Sequence, residues 1–194
     1  VSGSMASCSA TLVVADSTRP LAICRDTLVF LDAGGNAAIT VADIENGSSD
    51  NCGIANTSVS QTAFTCADVP GVNVTLSVTD VSGNVGTCLA YVRVRDTVAP
   101  VAFCRDTIIY IDNSGQANLV PADVDSGSTD NCAIALAALT QTLFTCNDTG
   151  ANSVTLSIQD ADTNIATCIS IITVLDTVPP EAVCSDTTFY LDSM

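Results

Sequence analysis

The stretch PLAICRDT at residues 20–27 recurs as PVAFCRDT at 100–107 and as PEAVCSDT at 180–187, always at the same interval. Aligned without a gap, residues 20–99 and 100–179 are identical at 36 of 80 positions. Such a fixed period is typical of tandem repeats. We therefore predict two full repeats, 20–99 and 100–179. The tail of a preceding repeat (1–19) and the head of a following one (180–194) flank them, since VSGSMASC at 1–8 aligns with VSGNVGTC at 81–88.

Short apolar stretches separated by turn residues predict strands throughout each repeat. In the first repeat Leu21–Leu31 is expected to be extended, and AGGN at 33–36 and DVSGN at 80–84 are expected to turn. The other predicted strands are 37–41, 52–60, 61–66, 72–79 and 85–95, with a polar loop at 43–51. About seven short strands without helical periodicity predict an all-β fold of tandem immunoglobulin-like β-sandwiches. Four phenylalanines in strand patterns are expected in the core: Phe30, Phe64, Phe103 and Phe144.

The composition excludes several functions. The chain has no histidine, and its 21 acidic and five basic residues give a formal charge of −16. It therefore lacks the imidazole of a Ser-His-Asp triad, and nucleic acid is not an expected partner. The longest apolar run, 132–139, is far shorter than the ~20 residues of a spanning helix, so no membrane insertion of this segment is expected. The carboxylate pairs, such as Asp43 with Glu45, lie in a polar loop, and we predict no enzymatic activity.

Each full repeat contains four cysteines, at 24, 52, 66 and 88 and at 104, 132, 146 and 168. No CxxC pair is present, which favours disulfides over a zinc or redox site. Cys52 and Cys66 flank a hairpin-sized segment, so we predict that they pair, as do Cys132 and Cys146. An 80-residue sandwich buries only ~60% of its unfolded surface and gains from such covalent links.

The order of these motifs resembles that of hyalin-repeat (HYR) domains. The shared features are a cysteine soon after a proline, a mid-repeat Asp-Asn, a TDxxGN turn and a final TCxxxVxV strand that ends in DTVAP. The resemblance covers the whole chain. It looks closest to the versions in giant surface proteins of Bacteroidota, including gliding-motility adhesins exported by the type IX system. It implies an extracellular, cell-surface location.

The resemblance also implies that the first and last cysteines of each repeat pair, Cys24 with Cys88 and Cys104 with Cys168. Cys8 and Cys184 would then pair with residues outside this chain. A second pattern stays open, in which disulfides cross the repeat boundaries as Cys8–Cys24, Cys88–Cys104 and Cys168–Cys184. That pattern would use every remaining cysteine and cross-link neighbouring repeats.

Seven tripeptides, each an Asp followed by Ser or Thr and then by an aliphatic residue, Thr or Met, resemble the O-glycosylation motif of Bacteroidota. They would place sugars on Ser17, Thr27, Thr97, Thr107, Thr177, Thr187 and Ser193. The alternative is that Asp-Thr ends strands and hydrogen-bonds turns. Glycans at these positions would also cover strand edges, which no lysine protects in this chain.

Recurring acidic and amide residues suggest calcium. Their oxygen donors suit this hard cation and no softer one. The candidate ligands are Asp43, Asp50, Asn51 and Asp80 in the first repeat and Asp123, Asp130, Asn131 and Asp160 in the second. Asp96 and Asp176, at the DTVxP junctions, could similarly stiffen the joint between repeats. The alternative is that all of these residues cap turns and keep the chain soluble.

Three functions compete. The first is a structural segment of an extracellular filament or stalk, whose partners are neighbouring repeats of the same chain or fibre. The second is an adhesin module that binds a surface polysaccharide or a host or prey ligand, although the chain offers few aromatic residues for sugar stacking. The third is a pilin-like subunit whose residues 181–191 assemble with a neighbour by strand addition.

Overall fold

The computed structural model describes residue 3 and residues 5–191. The chain forms two compact units, 1–98 and 99–194, which we call the first and the second unit. Within the described residues, each unit contains six strands and one short helix. The fold class predicted from sequence, a tandem pair of immunoglobulin-like β-sandwiches with disulfides, is confirmed. The predicted repeat boundaries themselves remain predictions.

The strands of the first unit are β1 (Thr27–Phe30), β2 (Asn36–Ala38), β3 (Ile54–Val59), β4 (Ala63–Thr65), β5 (Gly71–Asp80) and β6 (Val85–Arg95), and its helix is α1 (Val41–Ile44). Those of the second are β7 (Thr107–Ile111), β8 (Gln116–Asn118), β9 (Ile134–Leu139), β10 (Leu143–Thr145), β11 (Gly150–Asp160) and β12 (Ile165–Asp176), with helix α2 (Pro121–Val124). A single 3-10 turn follows β4 at Cys66–Asp68 and β10 at Cys146–Asp148.

Both units have the same sheet topology. In the first unit a four-stranded sheet has the order β1-β6-β5-β3, and β2 pairs with β4 in a second, two-stranded sheet. The second unit repeats this with β7-β12-β11-β9 and with β8 paired to β10. The first strand of each unit runs parallel to its last strand, and all other pairs are antiparallel.

Period-two alternation builds the core. In β5 the buried residues are Val74, Leu76, Val78 and Asp80, whereas the residues between them point outward. Phe64 of β4 and Ile44 of α1 are also fully buried. The second unit has an equivalent cluster around Phe144, Leu156 and Ile158.

The one-turn helix α1 was not predicted, because four residues carry no helical periodicity. Asp43 starts it by accepting hydrogen bonds from the Thr40 N–H (2.6 Å) and hydroxyl (2.8 Å). Arg25 closes it, since its guanidinium donates to the main-chain oxygens of Ala42 and Asp43 at 2.7 and 3.0 Å. Arg105 does the same for α2.

Two of the four phenylalanines predicted in the core lie outside it. Phe64 and Phe144 are buried, but Phe30 is 56% and Phe103 49% exposed. Phe30 lies on the outward face of β1 with its partner Arg95, so the alternation is correct but its phase is reversed. Among the described residues, no helix has the length and apolar character needed to cross a bilayer.

Candidate metal centre and disulfide framework

Disulfides join Cys24 to Cys88 and Cys104 to Cys168, with Cα–Cα distances of 6.0 and 5.8 Å. These are the pairs that the HYR resemblance implied. Cys88 lies in β6, and Cys24 lies in the extended segment before β1. The bond therefore ties the two ends of the repeat together across a sequence separation of 64. The alternative set of disulfides across repeat boundaries is not formed, since Cys8 and Cys184 are free and exposed.

The predicted pairs Cys52–Cys66 and Cys132–Cys146 are wrong. Cys52 and Cys146 are free thiols, whereas Cys66 and Cys132 are disulfide-bonded. The reason is the length of the sandwich. Cys52 precedes β3, whose first residue pairs with Asp80 at the end of β5, and Cys66 lies before the start of β5. Ten strand residues span about 30 Å, far beyond the ~7 Å limit between the Cα atoms of a disulfide.

Three carboxylates converge at the end of the first unit where β5 finishes. Asp16 reaches this point from the segment before Pro20, Asp50 from the loop before β3, and Asp80 from the last position of β5. One oxygen of each lies within 4.8 Å of the others. Asp80 is buried, at 2% exposure, and its side chain occupies a core position of the strand.

Hydrogen bonds position these three carboxylates. Asp80 Oδ1 accepts from the backbone N–H groups of Ser82 (2.9 Å) and Asn84 (2.7 Å), and its Oδ2 accepts from Asn84 Nδ2 (2.7 Å). Asn84 Nδ2 also donates to the Asp16 main-chain oxygen at 3.2 Å. Asp50 Oδ2 accepts from the N–H of Cys52 at 2.8 Å. Each carboxylate is thus held by its own turn, with one face directed at the others.

Hydrogen bonds favour the charged forms of Asp80 and Asp16. Burial alone would raise the pKa of Asp80, but hydrogen bonds from Asn84 and Ser82 hold that pKa below its ordinary value. The N–H of Thr18, which donates to Asp16 Oδ1 at 3.0 Å, lowers the pKa of Asp16. Asp16 in turn raises the pKa of the Cys52 thiol through a hydrogen bond. Close carboxylates whose pKa values are lowered repel one another unless a cation neutralises them.

Two oxygens in this group lack any partner. Asp16 Oδ2 and Asp50 Oδ1 are inaccessible to solvent and accept no hydrogen bond. A buried carboxylate oxygen without a donor is costly, and a metal ion would satisfy it. Calcium binds oxygens at ~2.4 Å, so two oxygens on one ion are at most ~4.8 Å apart. The donor set and spacing of Asp16, Asp50 and Asp80 fit calcium.

The sequence prediction for this group was partly correct. Asp50 and Asp80 come together, but Asp43 does not, because it caps α1. Asn51 borders the group as a donor rather than as a ligand, with Nδ2 3.3 Å from Asp16 Oδ1. Asp16 was missed as a ligand of the first repeat, although it occupies the same repeat position as Asp96 and Asp176. Extending the junction argument back to the preceding repeat would have found it.

The second unit repeats these local arrangements. Asp160 is buried and accepts from the side chain and backbone N–H of Asn164 at 2.6 and 2.8 Å. Asp130 Oδ1 is inaccessible to solvent and without a partner, and its other oxygen accepts from the Cys132 N–H. Asn131 is half-buried beside it. Asp123 is not available as a ligand, because it caps α2 by accepting from the Val120 N–H at 2.9 Å.

The predicted glycosylation positions differ in exposure. Thr27 and Thr107 are half-buried at the first positions of β1 and β7, whereas the other described positions are exposed: Ser17, Thr97, Thr177 and Thr187. Ser193 lies outside the described residues. The preceding aspartates have structural roles, since Asp26 Oδ1 accepts from the Tyr91 N–H at 2.8 Å and Asp106 Oδ1 from that of Ile171 at 2.7 Å. Glycosylation stays a prediction.

No known family matches this sequence, and no relative is found among curated proteins. Similar solved structures include cadherin domains 1–4 of protocadherin gamma B7, with a TM-score of 0.38 and 11% identity over 82% of this chain and 51% of that one. Drosophila N-cadherin EC1-4 has a TM-score of 0.42 and 10% identity, over 81% of this chain and 50% of that one. Human protocadherin-24 EC1-2 has a TM-score of 0.40 and 14% identity, over 84% of this chain and 100% of that one. The chain spans about half the length of the first two.

Proposed function

We propose that this chain is a load-bearing repeat segment of an extracellular surface filament or stalk. One observation carries the proposal, the disulfide that joins the beginning of each repeat to its last strand. The proposed role is mechanical and not catalytic. It uses the fold itself rather than a ligand pocket.

The disulfide determines which part of a repeat can be stretched. Tension that enters near Pro20 and leaves at Arg95 passes from Cys24 to Cys88 through a covalent bond, so the loop between these cysteines carries none of it. Only about 16 residues of each repeat lie outside the sequence separation of 64 that this bond closes. Fully extended, those residues span about 55 Å, whereas a whole repeat would span about 270 Å.

The strand order supports the same role. The terminal strands β1 and β6 are neighbours and run parallel, with Thr27 opposite Val92 and Phe30 opposite Arg95. In a repeat whose disulfide has been reduced, pulling the two ends apart would shear these hydrogen bonds together instead of opening them one by one. The second unit has the same parallel pairing of β7 with β12. The disulfide therefore bears the tension first, and this strand pair resists it only after the disulfide is reduced.

The cysteines also support an extracellular location. Disulfides persist in oxidising compartments and are rare in the cytosol. Together with the sequence resemblance to HYR repeats, this favours the cell surface, and we keep a Bacteroidota surface protein exported by the type IX system as the proposed origin. Glycans on the exposed Asp-Thr positions would protect such a filament.

Calcium at Asp16, Asp50 and Asp80 would stiffen the filament where the chain enters the repeat. Asp16 belongs to the segment before the repeat, whereas Asp50 belongs to the loop before β3 and Asp80 to the end of β5. The ion would supply positive charge between the three carboxylates. These side chains would hold it and thereby fix residue 16 to the body of the unit.

Melting in calcium and in a chelator tests this site. Calcium should raise the melting temperature of the chain, and Asp50→Asn should reduce that increase. Glu181→Gln is the matched control, because it also removes one negative charge but lies exposed in the segment after β12. Equal calcium responses in both variants would show nonspecific screening of the net charge.

Labelling of the producing cells tests the filament itself. Antibodies against the chain should decorate surface fibres along their length in electron micrographs. An adhesin module, the main alternative, predicts that added soluble chain blocks attachment of the cells to their substrate. Pilin-like assembly predicts that removing 181–191 abolishes polymers. Label confined to the cell interior would overturn all three.

A further inference from the structure

The free thiols Cys52 and Cys146 lie at opposite ends of their repeats. Cys52 is exposed at the end where the chain enters the first unit, since Asn51 Nδ2 lies 3.3 Å from both Cys52 Sγ and Asp16 Oδ1. This end also holds the carboxylate cluster. A thiol here is exposed and can reach a cysteine outside this repeat.

Cys146 is exposed at the end where the chain leaves the second unit. Its Sγ lies 3.8 Å from the Gly115 main-chain oxygen, in the turn that follows β7. The cleft beside it is lined by Asp176 at the end of β12 and by Val178, Pro179 and Pro180. A thiol here is likewise exposed and can reach a cysteine outside this repeat.

Each of the two positions is oxidised in one of the two repeats and free in the other. Cys132 occupies the same repeat position as Cys52, and Cys66 occupies the same repeat position as Cys146. Cys66 and Cys132 are disulfide-bonded, whereas Cys52 and Cys146 are free. Within one repeat the two positions are about 30 Å apart and cannot pair with each other. The cysteine at each end of a repeat therefore cannot use the one at the other end as its disulfide partner.

We propose that Cys52 and Cys146 form a disulfide between neighbouring repeats, joining the entry end of one copy of this chain to the exit end of a second copy. This rests on the proposed filament and adds a covalent link between its segments. Oxidised glutathione is a sufficient oxidant. The two thiols lose two protons and two electrons to form one S–S bond, and glutathione disulfide accepts these to give two glutathione thiols.

Complementation between two variants tests the link in the full chain. The parent protein carries Cys8→Ser and Cys184→Ser, which remove the exposed thiols of the terminal segments, and both variants are made from it. In a glutathione redox buffer, this parent should give a ladder of covalent oligomers on non-reducing gels. Adding Cys52→Ser or Cys146→Ser should leave monomers. An equimolar mixture of these two variants should give dimers and nothing larger, because each supplies one of the two thiols.

Peptide mapping identifies the bond and separates this inference from the proposed function. Cleavage by chymotrypsin after Phe64 and Phe144 separates Cys52 from Cys66 and Cys132 from Cys146, so a Cys52–Cys146 peptide is recognisable by mass. A ladder that persists in either single variant would overturn the inference, as would a parent that stays monomeric. Recovery of Cys24–Cys88 from such a monomer would leave the proposed load path intact, and its loss would contradict that path.

Discussion

The two units share their buried framework but differ on the outer face of the larger sheet. In the first unit this face carries Arg93 and Arg95 on β6, and in the second Thr173 and Leu175 occupy the same positions of β12. Ile108, Tyr110, Ile169 and Ile171 make the second face largely apolar and uncharged. We call the disulfides Cys24–Cys88 and Cys104–Cys168 the staple of each unit. Both units have the staple cysteines and the aspartates of the turns at the same repeat positions. The comparison indicates that the fold needs the staple and the turns, whereas the outer face is free to vary.

Removing the staple should have the largest effect. Cys24→Ala with Cys88→Ala opens a loop with a sequence separation of 64, and the chain-entropy model assigns such a loop about 4 kcal/mol. Hydrogen exchange measured on peptides of β5 and β11 reports on each unit separately. Protection should fall in the first unit only, and Cys104→Ala with Cys168→Ala should have the converse effect. Unchanged protection in the altered unit would mean that the staple is dispensable.

Acid should destabilise both units over one pH range. Hydrogen bonds from Asn36 and Gly34 lower the pKa of Asp32, those from Ser114 and Gln116 lower that of Asp112, and those from the Thr65 and Thr145 N–H groups lower the pKa values of Asp68 and Asp148. The unfolded chain therefore binds protons first as the pH falls.

The free energy of unfolding should accordingly be constant from neutral pH to about pH 5 and decrease below about pH 4, through the lowered pKa values. Urea denaturation in a chelator, repeated at a series of pH values, measures this dependence. A stability that rises on acidification would show that repulsion among the 21 acidic residues outweighs these hydrogen bonds.

Substitutions in the turn between the last two strands of each unit should change stability less, and in opposite directions in the two units. Gly83 has φ 90° in the first unit, and its counterpart Thr163 has φ 74°, which is unfavourable for a β-branched residue. Thr163→Gly should stabilise the second unit by about 1 kcal/mol, and Gly83→Thr should destabilise the first by a similar amount. A Cβ at Gly83 would contact nothing within 4 Å, so backbone conformation is the cause. Hydrogen exchange of β11 and β5 measures both.

Exchanging the outer faces should change stability least. Arg93→Thr with Arg95→Leu gives the first unit the second unit's residues at two exposed positions, and surface changes of this kind are usually within ~0.5 kcal/mol. The expected consequence is lower solubility, measured by precipitation, with unchanged protection of β5. A marked loss of protection would show that these arginines stabilise the sheet.

The parts of the fold that follow from local patterns could be predicted from the sequence. The 80-residue period indicated the repeat, and alternation in Val72–Thr79 and Val85–Arg95 located the two longest strands of the first unit, which form β5 and β6. The phase of β1 could not be predicted, because apolar residues occupy both of its faces, Leu28 and Phe30 on one and Val29 on the other. Only its pairing with β6 decides which face is buried.

The site depended on contacts between distant segments, which limited its prediction. Spacing suggested that Cys52 and Cys66 close a hairpin, but β3 and β4 belong to different sheets. By sequence Asp43 and Asp50 are both carboxylates of one polar loop, but Asp43 caps a helix. Asp50 lies beside Asp16, which is 34 positions before it in the sequence. Neither distinction is visible until the sheets are assembled.

Stretching single molecules of this chain between its ends tests the proposed load path most directly. With disulfides intact, no repeat should lengthen by more than the ~55 Å that about 16 residues allow. After reduction by a thiol, each repeat should unfold to as much as ~270 Å, its folded length included. Events of the longer kind under oxidising conditions would contradict the account, because they would show that tension reaches the residues between Cys24 and Cys88.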